Sequence, residues 1–168
     1  MNIVLLGLGN LMRTDDGVGI HAIRRLSDDY RLARNVQIIE GGTLGLDLLD
    51  SLRGVTHLLA VDAVDTGATP GTLLRFADAE LANLPIAKSV HLLGFADLLG
   101  TMNLLEDAPC EVVLLGVQPK STDWGIVLSP IVDATLTDLI EATLDQVSQW
   151  QDANKRSEEL CIVRSRSG

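Results

Sequence analysis

An apolar strand that runs into glycines and then into two adjacent carboxylates, IVLLGLGNLMRTDDGVG over residues 3–19, constrains this chain more than any other stretch. Ile3 to Leu6 shows no alternation of polar and apolar positions, so it suits a strand covered on both faces, as in a parallel sheet flanked by helices. A Gly-rich turn behind a first strand usually receives phosphate at the N-terminus of the next helix. Here Asp15 and Asp16 stand at that mouth and would repel an anion. A cation fits better, and two later strand or loop ends supply matching donors, Asp62 and His91.

At 168 residues the chain is one domain of ordinary size, able to fold on core packing alone. Its 46% apolar content with only 3% aromatic is mostly Leu, Val, Ile and Ala, which fits strands sandwiched between helical layers. The fold expected is therefore α/β: a three-layer α/β/α sandwich around a mostly parallel twisted sheet. Two cysteines, Cys110 and Cys161, are too few for a disulfide scaffold and suit a reducing cytoplasm. A net charge of −10 with scattered basic residues argues against a nucleic-acid partner. No apolar run approaches the roughly 20 residues of a membrane span, so a soluble, cytoplasmic protein is expected.

The elements alternate. After Ile3–Leu6 a helix is predicted over Gly17–Tyr30, then a strand Val36–Ile39 closing on EGGT, then a helix capped by Thr43 with Leu44, Leu48, Leu49 and Leu52 at helical spacing. The strand His57–Val61 delivers Asp62 at its carboxyl end. Leu73–Phe76 reads as an antiparallel or edge strand, Ala77–Leu84 as a short helix, Leu92–Thr101 as a helix and Glu111–Val117 as a strand. Ser129 as N-cap with Pro130 at the first helical position opens the last helix, whose stripe runs Leu136, Leu139, Ile140, Leu144, Val147, Trp150. The domain is expected to span 1–150, and the polar residues 151–168 are expected to form a frayed, disordered tail.

Open parallel sheets place ligand sites at the carboxyl ends of their strands, so Asp15, Asp16, Glu40 and Asp62 should converge on one edge. Each has a plainer role beside the functional one. Asp16 could serve only the helix dipole, whereas Asp62, directly after LLAV, would be expensive to bury without a purpose. His91 precedes an apolar helix, where a cap or a hydrogen-bonded core histidine is the commoner role. Glu40, Gly41 and Gly42 could support the site or a substrate loop, or simply make a turn. Asn10 reads as a turn residue, His21 and His57 as structural, Asp65 and Asp97 as capping or solvated, Cys110 as a strand-start residue. No nucleophile motif such as GxSxG or HExxH is present, so any hydrolysis must rest on metal polarisation or on carboxylates acting on water.

From Met1 to about Trp150 the chain resembles the hydrogenase maturation proteases, through five motifs in order: GLGN with TDDGVG, EGGT followed by LGLDLLD, VDAVD with PGT, SVHLLGFADLL, and LLGVQP. The resemblance implies an endopeptidase that trims the C-terminal extension of a nickel-iron hydrogenase large-subunit precursor already holding nickel. It also implies that Asp16, Asp62 and His91 meet the metal, with Asp16 or Asp62 the candidates for a catalytic role. Nickel would come with the substrate, and no organic cofactor is implied. The first of these positions is Asp where many members have Glu, which shortens its reach by one methylene, and EGGT stands where many have DGGT. A monomer that pairs transiently with its precursor is the simplest expectation.

Three rivals remain at this level. GLGNLM nearly spells a dinucleotide fingerprint, but Met12 replaces the third glycine and the acid pair would face pyrophosphate. GLGN also opens peptidyl-tRNA hydrolases, which the acidic composition disfavours. A nickel-sensing chaperone that docks on the precursor without cutting is the third.

Overall fold

Successive residues of a strand point to opposite faces of its sheet, and this alternation sorts the apolar content of the chain into two cores. From β1 (Ile3–Leu8), Ile3 and Leu5 pack with α1 (Val18–Leu26) and α3 (Pro130–Arg166). Val4, Leu6 and Leu8 go the other way, onto the 3-10 helix Gly45–Leu52 and α2 (Val90–Leu104). The same division continues through Leu59 and Val61 against Leu58 and Ala60 on β3 (His57–Ala63). Helical layers thus cover both faces, as the unbroken apolar runs require. The computed structural model describes residues 1–27, 29, 31, 32, 35–77, 80, 81 and 90–166.

With β2 (Val36–Gly42), β4 (Leu73–Ala77) and β5 (Glu111–Val117), the sheet has five strands in the order β2-β1-β3-β5-β4. β1 pairs in parallel with β2 and β3, β3 pairs in parallel with β5, and β4 lies antiparallel on the edge of β5. The expected three-layer α/β/α sandwich with a mostly parallel sheet is what forms. Connections leave β1 toward β2 and then return to β3 on its other side, so the strand order reverses between β1 and β3. That reversal opens a crevice at their carboxyl ends, where ligands of such sheets bind.

Several local expectations need correction. α1 stops at Leu26, short of the predicted end at Tyr30, which lies outside the described residues. The segment after Thr43 is a 3-10 helix whose first position is preceded by Leu44 with no side-chain cap, so Thr43 does not cap it; Leu48 and Leu52 are buried, but Leu44 is exposed. The short helix expected over Ala77–Leu84 falls mostly outside the described residues. Ser129 and Pro130 do open α3, and the Ser129 hydroxyl donates to Asp15. In place of a frayed tail from Gln151, α3 continues to Arg166. Polar side chains such as Gln, Lys, Arg and Glu remove core packing but keep good helix propensity, so a polar composition alone does not end a helix. Among the described residues no helix is long and apolar enough to cross a membrane.

Candidate functional site

The crevice between β1 and β3 is where the sequence-predicted acids arrive, but the structure separates them into different jobs. Asp16 sits in the 3-10 turn Thr14–Gly17 that follows β1, and its Oδ2 lies 2.7 Å from Nε2 of His91 in the first turn of α2. Asp62, near the end of β3, is fully buried; its Oδ1 accepts the Ala63 N–H at 2.8 Å. A Cβ placed on Gly9 would fall 1.8 Å from the Asp16 carbonyl oxygen and 3.5 Å from Asp62 Oδ1, so these groups gather around one glycine. Three elements distant in sequence therefore bring Asp16, Asp62 and His91 into one electrostatic neighbourhood.

Two buried polar atoms in this group have no hydrogen-bond partner, Asp62 Oδ2 and His91 Nδ1. Burial without compensation penalises the ionised carboxylate, and Asp62 titrates at about 7: desolvation pushes it up, the field of His91 and the Ala63 amide pull it partly back, and Asp16 pushes again. For His91 burial works against protonation, but the bond to Asp16 and the charges of Asp62 and Asp16 outweigh it together with the opposing field of Arg13. Its pKa is accordingly raised, which favours the charged ring in its low-exposure pair with Asp16. Buried polar groups without a partner are uncommon in folded proteins, and together with a strongly shifted carboxyl they make this group a functional-site candidate.

Asp15, adjacent in sequence, turns away. Thr14 adopts φ 40, an uncommon conformation for a β-branched residue, and in the 3-10 turn it opens, with three residues per turn, successive side chains point about 120° apart. Asp15 Oδ2 accepts from the Lys120 and Ser121 amides and the Ser129 hydroxyl, while Oδ1 accepts the Ser129 amide at 2.6 Å. One carboxylate thereby fastens both ends of the segment from Lys120 to Ser129 onto the site-bearing turn. Thr14 adds bonds to Ser121 and Gly125. Asp15→Ala would strand these donors and should lower the unfolding free energy by about 2–4 kcal/mol. Urea denaturation checks this, and a loss below about 0.5 kcal/mol, ordinary for a surface substitution, would show that the clamp carries no weight.

Glu40 does not face this cluster. It forms a bidentate ion pair at 2.9 Å with Arg24 of α1, half exposed on the outside of β2. Gly41 instead allows close packing, since a Cβ there would meet Leu6 Cδ1 at 2.6 Å, and the Gly42 carbonyl accepts the Gly9 amide at 3.0 Å. Asn10 accepts the Met12 amide within its turn, and Asp65 accepts the Gly67 amide and the Gln118 side chain. His57 packs edge-on against Trp150 at 5.0 Å, at the end of the sheet away from the crevice. Asp97 and Cys110 are exposed.

Two carboxyls and an imidazole form a mixed oxygen and nitrogen donor set, suited to a borderline divalent ion. Among the described residues, however, no three His, Cys, Asp or Glu side chains are drawn together in a way that could hold a metal ion by themselves. An ion that arrives with ligands of its own would meet the unpartnered Asp62 Oδ2, and could draw on Asp16 and His91 Nε2 only once their mutual bond opens. The other chemistry open to this set is proton transfer with water, for which a carboxyl titrating near 7 is well matched.

A family model described as hydrogenase maturation protease matches residues 20–146, a span that includes Asp62 and His91. The chain is 37% identical over 163 residues to the hydrogenase expression/formation protein HupD of Thiocapsa roseopersicina, covering 95% of this chain and 74% of that protein. To the hydrogenase 2 maturation protease of Escherichia coli (strain K12) it is 37% identical over 149 residues, 88% of each chain. Among solved structures, the hydrogenase maturating endopeptidase HybD from E. coli superposes with a TM-score of 0.85 at 33% identity, over 89% of this chain and 93% of that one.

Proposed function

This chain belongs to the hydrogenase maturation protease family, and on that premise we propose that it removes the C-terminal extension of a nickel-iron hydrogenase large-subunit precursor, with the precursor's nickel as the recognition element. The observation that carries the proposal is the pairing of Asp16 with His91 beside a fully buried Asp62, with one unmet polar atom on each of the last two. An ion delivered on substrate thiolates needs only a few more donors, and a set too sparse to retain a metal unaided would test for its presence without removing it. Such a site works as a checkpoint: the peptide bond is positioned only when the precursor is loaded.

The side chains divide the work. Asp16 and His91 exchange their mutual bond for the incoming ion, and the His91 proton must leave for its Nε2 to ligate. Asp62 takes up a proton at neutral pH readily, which makes it the candidate to accept one from the hydrolytic water. The rival phosphate-binding readings lose their support with family membership and with an acidic crevice. We place the enzyme in the reducing cytoplasm, which suits the unpaired Cys110, acting as a monomer that meets its precursor transiently.

The test is to incubate the protein with its cognate precursor, with and without nickel, and weigh the precursor by mass spectrometry. Loss of the C-terminal extension only in the nickel-loaded sample is expected. His91→Ala should slow that cleavage by on the order of 100-fold or more at unchanged folding. A stable complex whose precursor keeps its full mass under both conditions would replace the protease reading with that of a non-cutting chaperone.

A further inference from the structure

The segment that Asp15 fastens beside the site carries side chains that an acidic, water-facing surface does not explain. Trp124, Ile126 and Val127 are 79%, 68% and 72% exposed, and Met12, across from them, is 55% exposed. These residues are contiguous: the Gly125 amide donates to the Met12 carbonyl at 3.0 Å, and the Thr14 amide donates to the Gly125 carbonyl at 2.8 Å. Arg13 lies with its guanidinium 5.9 Å from the Trp124 ring and donates to the Thr122 carbonyl. Four large apolar side chains are thus held outward on a well-anchored loop, and such a patch marks an interaction surface.

Resting on the proteolytic reading above, we propose that this lip of Met12, Trp124, Ile126 and Val127 is the docking surface for an apolar stretch of the precursor polypeptide adjoining its cleaved segment. Position selects the occupant. Thr14, bonded to Gly125, stands two residues before Asp16, so a chain entering the crevice from this side crosses the lip before it meets the Asp16–His91 pair. Rigidity favours binding, because a loop already fixed by Asp15, Thr14 and the Ser121–Asp123 pairing loses little freedom on contact. An exposed tryptophan on such a loop has the form of a binding hot spot. Arg13, a cation beside the lip in a chain of net charge −10, adds a place for an acidic or carbonyl group of the same stretch.

The experiment compares Trp124→Ala and Ile126→Ser with the unmodified protein in processing assays on purified nickel-loaded precursor. Both variants should raise KM about tenfold or more and leave kcat at saturating precursor within about twofold. Leu104→Ser is the control for exposure alone: Leu104 is 84% exposed but stands 13 residues along α2 from His91, about 20 Å away, and its loss should change neither constant. In protein labelled with 5-fluorotryptophan, the resonance of Trp124 should shift on adding precursor while that of the buried Trp150 stays put. If the unmodified protein cuts and the lip variants keep its KM, the docking inference is wrong and the protease reading stands. If it binds the precursor through Trp124 but never cuts, the lip survives and the protease reading falls; if it neither binds nor cuts, both fall.

Discussion

Asp62→Asn should abolish processing and at the same time make the fold more stable at neutral pH. The carboxyl is fully buried, makes one hydrogen bond to the Ala63 amide and leaves Oδ2 unmet, and it titrates at about 7 against an ordinary value of 3.8. Its folded pKa is raised, so between about pH 4 and 7 the native state keeps a proton that the unfolded chain has lost. Stability therefore falls as pH rises through that window, and above 7 the full deficit is present, on the order of 4 kcal/mol for this shift. Asparagine keeps the acceptor for Ala63 and removes the ionisation, at the cost of a buried amide with its own unmet donors. The net gain expected at pH 8 is about 1–3 kcal/mol. Thermal unfolding from pH 4 to 8 checks this: the difference between the two proteins should grow in favour of the variant as pH rises. His91 contributes a slope of the same sign, because the protonated form that pairs with Asp16 is lost as pH rises through its own raised pKa. Parallel pH profiles of the two proteins would mean that Asp62 does not carry this burden. A residue that weakens the fold and is indispensable to the reaction is the expected signature of a site retained for function.

How far the site could be read in advance follows from how local each signal is. The doubly buried sheet was legible because Ile3–Leu6 and His57–Val61 carry nearly unbroken apolar runs, and Asp62 stood out because an acid directly after such a run has no cheap structural use. His91 could be picked out as a donor type, but a ligand role for it leaned on the ordered motifs, since nothing in an apolar helix distinguishes a ligand from a capped histidine. Asp15 and Asp16 could not be told apart: they are identical neighbours, and what divides them is the 3-10 turn they share together with amides more than 100 positions away. The pairing of Glu40 with Arg24 was hidden for the same reason, because Arg24 lies on α1 and pairing across elements leaves no trace in local spacing. The predicted Thr43 cap failed because Gly45, at φ 53 and packed against Gly94, turns the chain into a tighter helix that begins elsewhere.

Gly9→Ala should prevent the protein from folding in soluble form, and it explains why a phosphate-like glycine turn stands before two acids. Gly9 adopts φ 115, a conformation that side-chain-bearing residues rarely adopt, and a Cβ there would lie 1.8 Å from the Asp16 carbonyl. Its neighbourhood is backbone, which cannot swing aside as a flexible side chain would. Gly19 acts alike on the next turn, where a Cβ would fall 2.1 Å from the Val61 carbonyl and 2.5 Å from that of Leu8. Together the two glycines press the turn and α1 against the ends of β1 and β3, bringing Asp16 beside Asp62. They make room for another part of the same chain, where a nucleotide site would make room for pyrophosphate. Each Gly→Ala change should cost more than about 4 kcal/mol, the range reserved for core disruption. Gly100→Ala provides the contrast: it lies within α2 with nothing inside 4 Å of its Cβ position, and the substitution should add about 0.5–1 kcal/mol through helix propensity. The yield of soluble, folded protein reads the Gly9 and Gly19 variants, and the urea unfolding midpoint reads Gly100→Ala against the unmodified protein. A Gly9→Ala protein with normal stability would mean that the turn has another way to settle, and the convergence of Asp16 with Asp62 would then need a different physical cause.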